Sequence, residues 1–397
     1  RLTQPLKSFA LLPEKIYDFE DPIYPKWEGD ERIGMAFNQK SESFGPSLFA
    51  LTASYVMEGE KWRIELQDFK NDSIYHFWEL GQKEVSLSFL GGSFVHMPIM
   101  MADSGLLVFF HGSNKLLRID KNSQVIWRNE EFVFHHAMNL DTEGMLWICG
   151  FENRGLYNPG TKQTATYLDD VLLKIDAESG KVLQKISVGD VLIKEGYKEL
   201  VFGFSNTPGQ KTGDDPFHNN DIQPVHFSSA YWEKGDLFIS LKHRSAILHI
   251  RPSTVELLHL IQGPFNNQHD VDILSDTEIA FFHNNFSFLG DPSISIDEDA
   301  KRDTMGLSEI LVYNFQEARF YPLLDAHFKK EQIFSASQGQ FERLPSGRIF
   351  VESQNQGILY LFSKKELLMK KTLPATRQGY IGKPHWIRVF EEEEKFP

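Results

Sequence analysis

The sequence predicts an all-β fold, a six-bladed β-propeller of four-stranded antiparallel blades whose ring is closed by N- and C-terminal strands. Three observations predict it. Short apolar strands of period two, bounded by turn residues, run from one end of the chain to the other. One phrase, a Gly turn followed by an apolar strand, a second strand ending near Asp and then a third, returns several times. A length of 397 residues is long for one ordinary domain but normal for a small unit repeated around an axis.

The copies can be read in order. A less regular unit starts near Leu48 and includes Trp62-Arg63-Ile64-Glu65-Leu66 and Tyr75-His76-Phe77-Trp78. Gly105 to Phe110 then leads to Leu116 to Asp120 and Val125-Ile126-Trp127, and Gly144 to Ile148 leads to Val171 to Asp176, a Ser179-Gly180 turn and Val182-Leu183. Gly235 to Ile239 pairs with Ala246 to Ile250, and Gly347 to Val351 with Ile358 to Phe362. A degenerate copy uses Thr277 to Phe282 and Ile310 to Tyr313. The terminal strand Trp386 to Phe390 is placed to complete the first blade, which removes the exposed edges an open array would carry. A pair of β-sandwiches or a β-helix does not explain this strand-turn grammar. The expected organisation is an N-terminal extension or stalk over 1–45, the propeller over 46–390 and an acidic tail over 391–397.

Composition narrows the function. A formal net charge of −14 argues against a nucleic-acid groove or an anionic membrane surface, and an anionic substrate would need a local cationic pocket. Cys149, the one cysteine, allows neither an internal disulfide nor a cysteine metal site. No apolar run approaches the ~18 residues of a membrane span. Arg1 is not an initiator, so the expectation is that an upstream signal peptide, membrane anchor or tag has been removed.

Histidines cluster by position in the repeat. His136 lies eight residues before Gly144 and His269 eight before Thr277, with Gly339 eight before Gly347 and His96 nine before Gly105. In an up-and-down blade this is the start of the innermost strand, at one mouth of the channel. The long connections 151–169, 186–217 and 283–307 fall on the same face, where a functional site is expected. His218 enters its blade after one of them, and Lys242 and Arg244 in Ser240-Leu241-Lys242-His243-Arg244 follow the second strand of that blade and supply positive charge. Asp214-Asp215 and the run Glu391 to Glu394 read as solvated surface charge.

At these residues the chain resembles the bacterial arylsulfotransferase family of six-bladed propellers, which move a sulfuryl group between phenols without a nucleotide sulfate donor. The phrases that carry the likeness occur in order: Phe134-His135-His136 with Gly144; His218-Asn219-Asn220 with Ser240 to His243; Gly263-Pro264 and Gln268-His269-Asp270; and Ser337-Gln338-Gly339 with Leu344 to Gly347. The resemblance implies His269 as the nucleophile, forming a sulfohistidine without any cofactor or metal. It implies His136 as the acid or base at the phenol oxygen, with His218 and Asn220 on the sulfate oxygens. Lys242 stands where the family has an Arg, so a point charge replaces a bidentate fork. Arg244, His96 and His243 complete the expected substrate-binding set. The substrates would be a small aromatic sulfate and a phenol, in a periplasmic or extracellular setting, anchored to a membrane upstream of residue 1 if that segment is an anchor. Two other classes stay open: a metal enzyme with His96, His136, His218 and His269 as ligands, and a non-catalytic propeller whose long loops hold a protein partner or another copy of the chain.

Overall fold

The computed structural model describes residues 23–25, 37–56, 59–81, 83–84, 94–158, 162–203, 215–285, 306–335, 338–374 and 380–391. They form six antiparallel sheets, each built on four strands, and the fold is the six-bladed β-propeller. It divides into two compact units, residues 1–38, 46–135 and 371–397 in the first, and residues 39–45 and 136–370 in the second.

The first unit holds two blades. Leu48–Val56, Lys61–Asp68 and Ser73–Leu80 are joined by the C-terminal strand Arg388–Glu391, which pairs antiparallel with Leu48–Val56, so the two ends of the propeller share one blade as expected. The other blade is Val95–Met100, Leu106–Phe110, Leu116–Ile119 and Val125–Asn129. Residues of Leu106–Phe110 are all buried because the strand is covered on both faces, so it reads as an unbroken apolar run. Lys61–Asp68 alternates strictly, with Trp62, Ile64 and Leu66 turned into a core shared with Trp78, Leu117 and Phe390. Burying one such side chain fully contributes about 1.5–3 kcal/mol.

The second unit holds the other four. From His136 onward it takes in Val133–Leu140, then Met145–Asn158, Gln163–Asp176 and Val182–Ser187. Asn219–Pro224, Leu237–Leu241, Ala246–Arg251 and Glu256–Ile261 follow. His269–Ile273, Glu278–His283, Glu309–Asn314 and Arg319–Leu323 form the fifth blade. Gln340–Arg343, Ile349–Ser353, Ile358–Phe362 and Leu367–Pro374 form the sixth, of which the second unit takes in residues up to Lys370. Trp232, Phe238, Ile247, Phe265 and Phe281 pack between the fourth and fifth blades. Gly144 and Gly347 sit in their turns with φ of +75° and +79°, a conformation that glycine adopts without a steric penalty.

Buried carboxylates tie each of these blades to the next. Asp170 Oδ2 accepts the Asn219 N–H at 3.1 Å, Asp221 Oδ2 accepts that of Val271 at 2.7 Å, and Asp270 Oδ2 accepts that of Phe341 at 2.6 Å. Every receiving residue lies in or opens a first strand, so these bonds set where the residues just before those strands are held. A typical intramolecular hydrogen bond contributes about 0.5–1.5 kcal/mol.

Three expectations need correction. The connection 151–169 is largely not a loop, because Met145–Asn158 and Gln163–Asp176 pair along their whole length. The stretch 186–217 contains two short helices, α1 (Val188–Lys194) and α2 (Lys198–Phe202). Ser187 caps α1, its Oγ accepting the Asp190 N–H. Glu391 is not tail but the last residue of its strand and is buried opposite Leu48, while 392–397 lie outside the described residues. Within 1–45, Ile23–Pro25 pairs with Tyr380–Gly382, which in turn pairs with Leu367–Pro374.

Candidate active site

The site is built where the first strand of the fourth blade begins. His218 precedes Asn219–Pro224 and adopts a left-handed φ of 50°. Asp215, three residues earlier, turns the chain: its Oδ1 accepts the His218 N–H at 3.0 Å and its Oδ2 is hydrogen-bonded to His218 Nδ1. The second strand, Leu237–Leu241, ends in a single 3₁₀ turn, Lys242–Arg244, that swings under the same segment. The N–H groups of Lys242 and His243 donate to the carbonyls of His218 (3.3 Å) and Phe217 (3.0 Å), and His243 Nδ1 donates to the Asp215 carbonyl at 2.9 Å.

Three imidazoles meet as a result. His218 and His243 stack at 4.3 Å with planes 26° apart, and His136 meets His218 edge-on at 4.6 Å. His243 is fully buried, and burial with the neighbouring His218 holds it well below the usual histidine range. Asp215 and His218 keep 16% and 17% of their side-chain surface, so the dyad is reachable from solvent. Asp215 is therefore part of the site rather than free surface charge. Its signal was a carboxylate three residues before a histidine that enters a strand. Asp214 lies outside the described residues.

Lys242 is enclosed on most sides but keeps part of its surface open. Its ammonium is pushed down to about 8 by desolvation, with Asp215 opposing. The same cation lies close enough to His269 to lower that imidazole further, after burial, to about 3. His269 opens the fifth blade with Nδ1 bonded to Asn284 Oδ1 at 2.7 Å and to the Asn267 carbonyl at 3.0 Å. The sequence reading placed His136 and His269 at equivalent positions. The hairpins that follow keep that offset, the N–H groups of Asp141 and Leu274 donating to the Met145 and Glu278 carbonyls, while the left-handed residue is His136 itself in one blade (φ 53°) and Asp270 in the other (φ 57°).

The remaining expected residues are framework or lie elsewhere. Asn220 donates through Nδ2 to the Gln268 carbonyl at 2.8 Å, and Gln268 Nε2 donates to Ser240 Oγ and the Ala246 carbonyl, so the fourth blade holds the residue next to His269. Arg244 is buried and donates to the Gly203 carbonyl, at the end of α2, at 3.2 Å. Its side chain anchors the helical insertion while its charge stays near Asp215. His96 belongs to the first unit, in a second histidine group with His111 and His385 built around Phe94. Sequence reasoning missed Asn284. It follows a strand in His283-Asn284-Asn285, where nothing in the pattern distinguishes it from a turn residue.

The group the structure brings together shares only His218 with the four histidines expected as metal ligands. Among the described residues, Asp215, His218 and His243 offer ligand atoms within 4.8 Å of one another. An imidazole binds an ion in its own plane, and two rings stacked at 4.3 Å cannot both do so for one ion without turning.

Comparison with known proteins gives the family. Residues 97–371, more than half of the chain, match the family model described as arylsulfotransferase (ASST). The chain belongs to the arylsulfotransferase family. No curated protein matches it in sequence. A protein of unknown function from Bacteroides caccae is similar in structure at 11% identity and a TM-score of 0.51, over 87% of this chain and 98% of that one. A catalytically inactive virginiamycin B lyase from Staphylococcus aureus aligns at 8% identity and a TM-score of 0.44, over 85% of this chain and 89% of that one. At these identities only the first carries weight, and for the fold alone. In this arylsulfotransferase-family chain, motif residues Asn220 and Ser240 bond to Gln268, and Asp270 accepts the Phe341 N–H, which gives the ordered phrases of the sequence a structural reason.

Proposed function

We propose that this protein transfers a sulfuryl group from an aryl sulfate to a phenolic acceptor through a covalent intermediate on His269. The observation that carries the reading is a buried imidazole held neutral, at about 3, beside a lysine cation. A neutral imidazole keeps a lone pair for the sulfur, and the cation answers the negative charge of the sulfate oxygens. His218, polarised by Asp215 on its Nδ1, helps to hold the sulfate oxygens. His136, edge-on to His218, is the acid that protonates the departing phenolate and the base that later deprotonates the acceptor. The partly open dyad favours a working site over a purely structural propeller.

Incubation with 4-nitrophenyl sulfate and a second phenol tests the proposal, the expected outcome being release of nitrophenol together with the sulfated acceptor. Transfer absent across a panel of donors and acceptors, with the fold intact, would overturn it in favour of a binding propeller.

The charges make two expectations specific. Since the Lys242 ammonium loses its proton near pH 8, transfer falls as pH rises through that value. Lys242→Arg should carry the alkaline limb upward, because guanidinium stays charged, and Lys242→Met should lower turnover by about 10²–10³-fold. An alkaline limb unmoved in Lys242→Arg would assign it to another group. Asp215→Ala removes the acceptor on His218 Nδ1 and is expected to lower kcat by about 10- to 100-fold. A rate equal to wild type would return Asp215 to a role in the turn alone.

A further inference from the structure

We infer that Asn284 is a positioning residue that holds His269 as the Nδ1–H tautomer, leaving Nε2 as the atom that attacks. The inference begins with the amide. Asn284 is fully buried, and its Nδ2 donates to two carbonyls, those of Ser335 at 2.7 Å and Gln338 at 2.9 Å. Both amide protons are thereby committed, so the group cannot be flipped without setting carbonyl against carbonyl. Oδ1 must face His269, and an amide oxygen only accepts. The Asn267 carbonyl 3.0 Å from the same Nδ1 is likewise only an acceptor. Nδ1 therefore carries the hydrogen, and in a neutral imidazole the lone pair lies on Nε2.

The choice of a neutral acceptor has a consequence. A carboxylate opposite Nδ1 would bring a full negative charge to stabilise the imidazolium and remove the lone pair; the neutral amide orients the ring, and the rise in basicity from its hydrogen bond is outweighed by burial and the Lys242 cation, so His269 stays neutral. The amide is held by Ser335 and Gln338, on the segment leading into the sixth blade, while His269 opens the fifth. The ring is thus gripped from two sides by chain whose position the sheets determine.

The role in transfer rests on the sulfuryl-transfer proposal, whereas the tautomer does not. In that reaction the Nε2 lone pair forms an N–S bond as the S–O(aryl) bond breaks, and the electron pair leaves with the aryl oxygen, which takes a proton. Nδ1 keeps its hydrogen, so the sulfurylated ring is formally cationic, and the two carbonyl oxygens stabilise that charge. The acceptor phenol oxygen then attacks sulfur, the N–S electrons return to Nε2, and the phenol proton passes to the base.

The test is ¹⁵N NMR of histidine-labelled protein, with the His269 signals assigned by their loss in His269→Gln. The wild type should show Nδ1 protonated and Nε2 unprotonated from pH 8 down to pH 5. The reverse pattern would overturn the inference. In Asn284→Asp the imidazolium pattern should appear near neutral pH, and the acid limb of kcat/KM should move upward; signals and profile like those of wild type would show that Asn284 does not govern the ring. Asn284→Ala, compared at equal folded fraction, should lose roughly 10²-fold in kcat with a smaller change in KM. Should the NMR pattern hold while no aryl sulfate is turned over, the tautomer stands and the sulfuryl-transfer proposal fails.

Discussion

His269→Ala should abolish transfer, lowering kcat by about 10⁴-fold or more, the size of loss seen when a covalent nucleophile is removed. His243 and His218 have Nδ1 on the Asp215 carbonyl and the Asp215 carboxylate, away from the Asn284 and Asn267 oxygens that hold His269. The intermediate gives an independent readout. Wild type quenched in acid-free conditions during turnover with 4-nitrophenyl sulfate should carry one extra sulfuryl mass on the peptide containing His269. His136→Ala, which lacks the base that deprotonates the acceptor in the second half-reaction, should accumulate that species. Label on any other peptide, or more than a tenth of wild-type activity in His269→Ala, would move the nucleophile elsewhere.

The second large effect is on stability. Acidification should unfold the protein well above the carboxylate range, because its core buries neutral imidazoles. In the first unit, Phe94 is stacked between His111 at 4.9 Å and His385 at 4.0 Å, and His96 lies against Trp386 at 5.2 Å. Burial depresses His96 and His385, reinforced at His96 by His111 and at His385 by Lys383, and with His135 pushes His111 down to about 3. In the second unit burial does the same to His249, held at about 4, and to His243 and His269.

Each of these groups binds a proton in the unfolded chain below about pH 6.5 but resists it when folded. Their contribution is fully present above the unfolded value and is lost as pH falls toward the folded one. Asp169, raised by burial to about 7, and Asp270, raised well above the usual carboxylate range by burial and the neighbouring Asp221, work in the opposite sense, costing stability as pH rises, but they are two groups against the six histidines. A tenfold difference in proton affinity between the folded and unfolded chain corresponds to about 1.4 kcal/mol, so a few such histidines rival a typical net stability of about 5–15 kcal/mol. Unfolding followed by tryptophan fluorescence should show a midpoint that drops steeply between pH 6.5 and 4. His111→Phe, which preserves the stack on Phe94, should flatten that limb. A midpoint level down to pH 5 would contradict the account.

The legibility of this protein in its sequence follows the range of the interactions concerned. Strand existence is local: period-two alternation in Lys61–Asp68 and continuous apolar runs such as Leu106–Phe110 depend on neighbours a few residues away, and the recurrence of one phrase fixed the number of blades. His136, His218, Lys242 and His269 were visible because strand starts and ends mark one face of a repeat. The hairpin 145–176 was not, since its pairing distinguishes an extended ladder from a loop only once both arms are aligned.

Partners were the other gap. Asp215 read as surface charge, because a carboxylate in a polar stretch has no local mark of whether it meets water or an imidazole. Asn284 reaches His269 across fifteen residues and Gln338 across fifty-four, separations at which a single sequence carries no pairing information. The sequence by itself determined the fold, the blade count and which residue types gather at the strand starts. Tertiary structure alone decided which nitrogen of each histidine is occupied, which cation is partly open and which is tied to a helix end. Those are properties of groups brought together by blade packing, and burial then sets their charge.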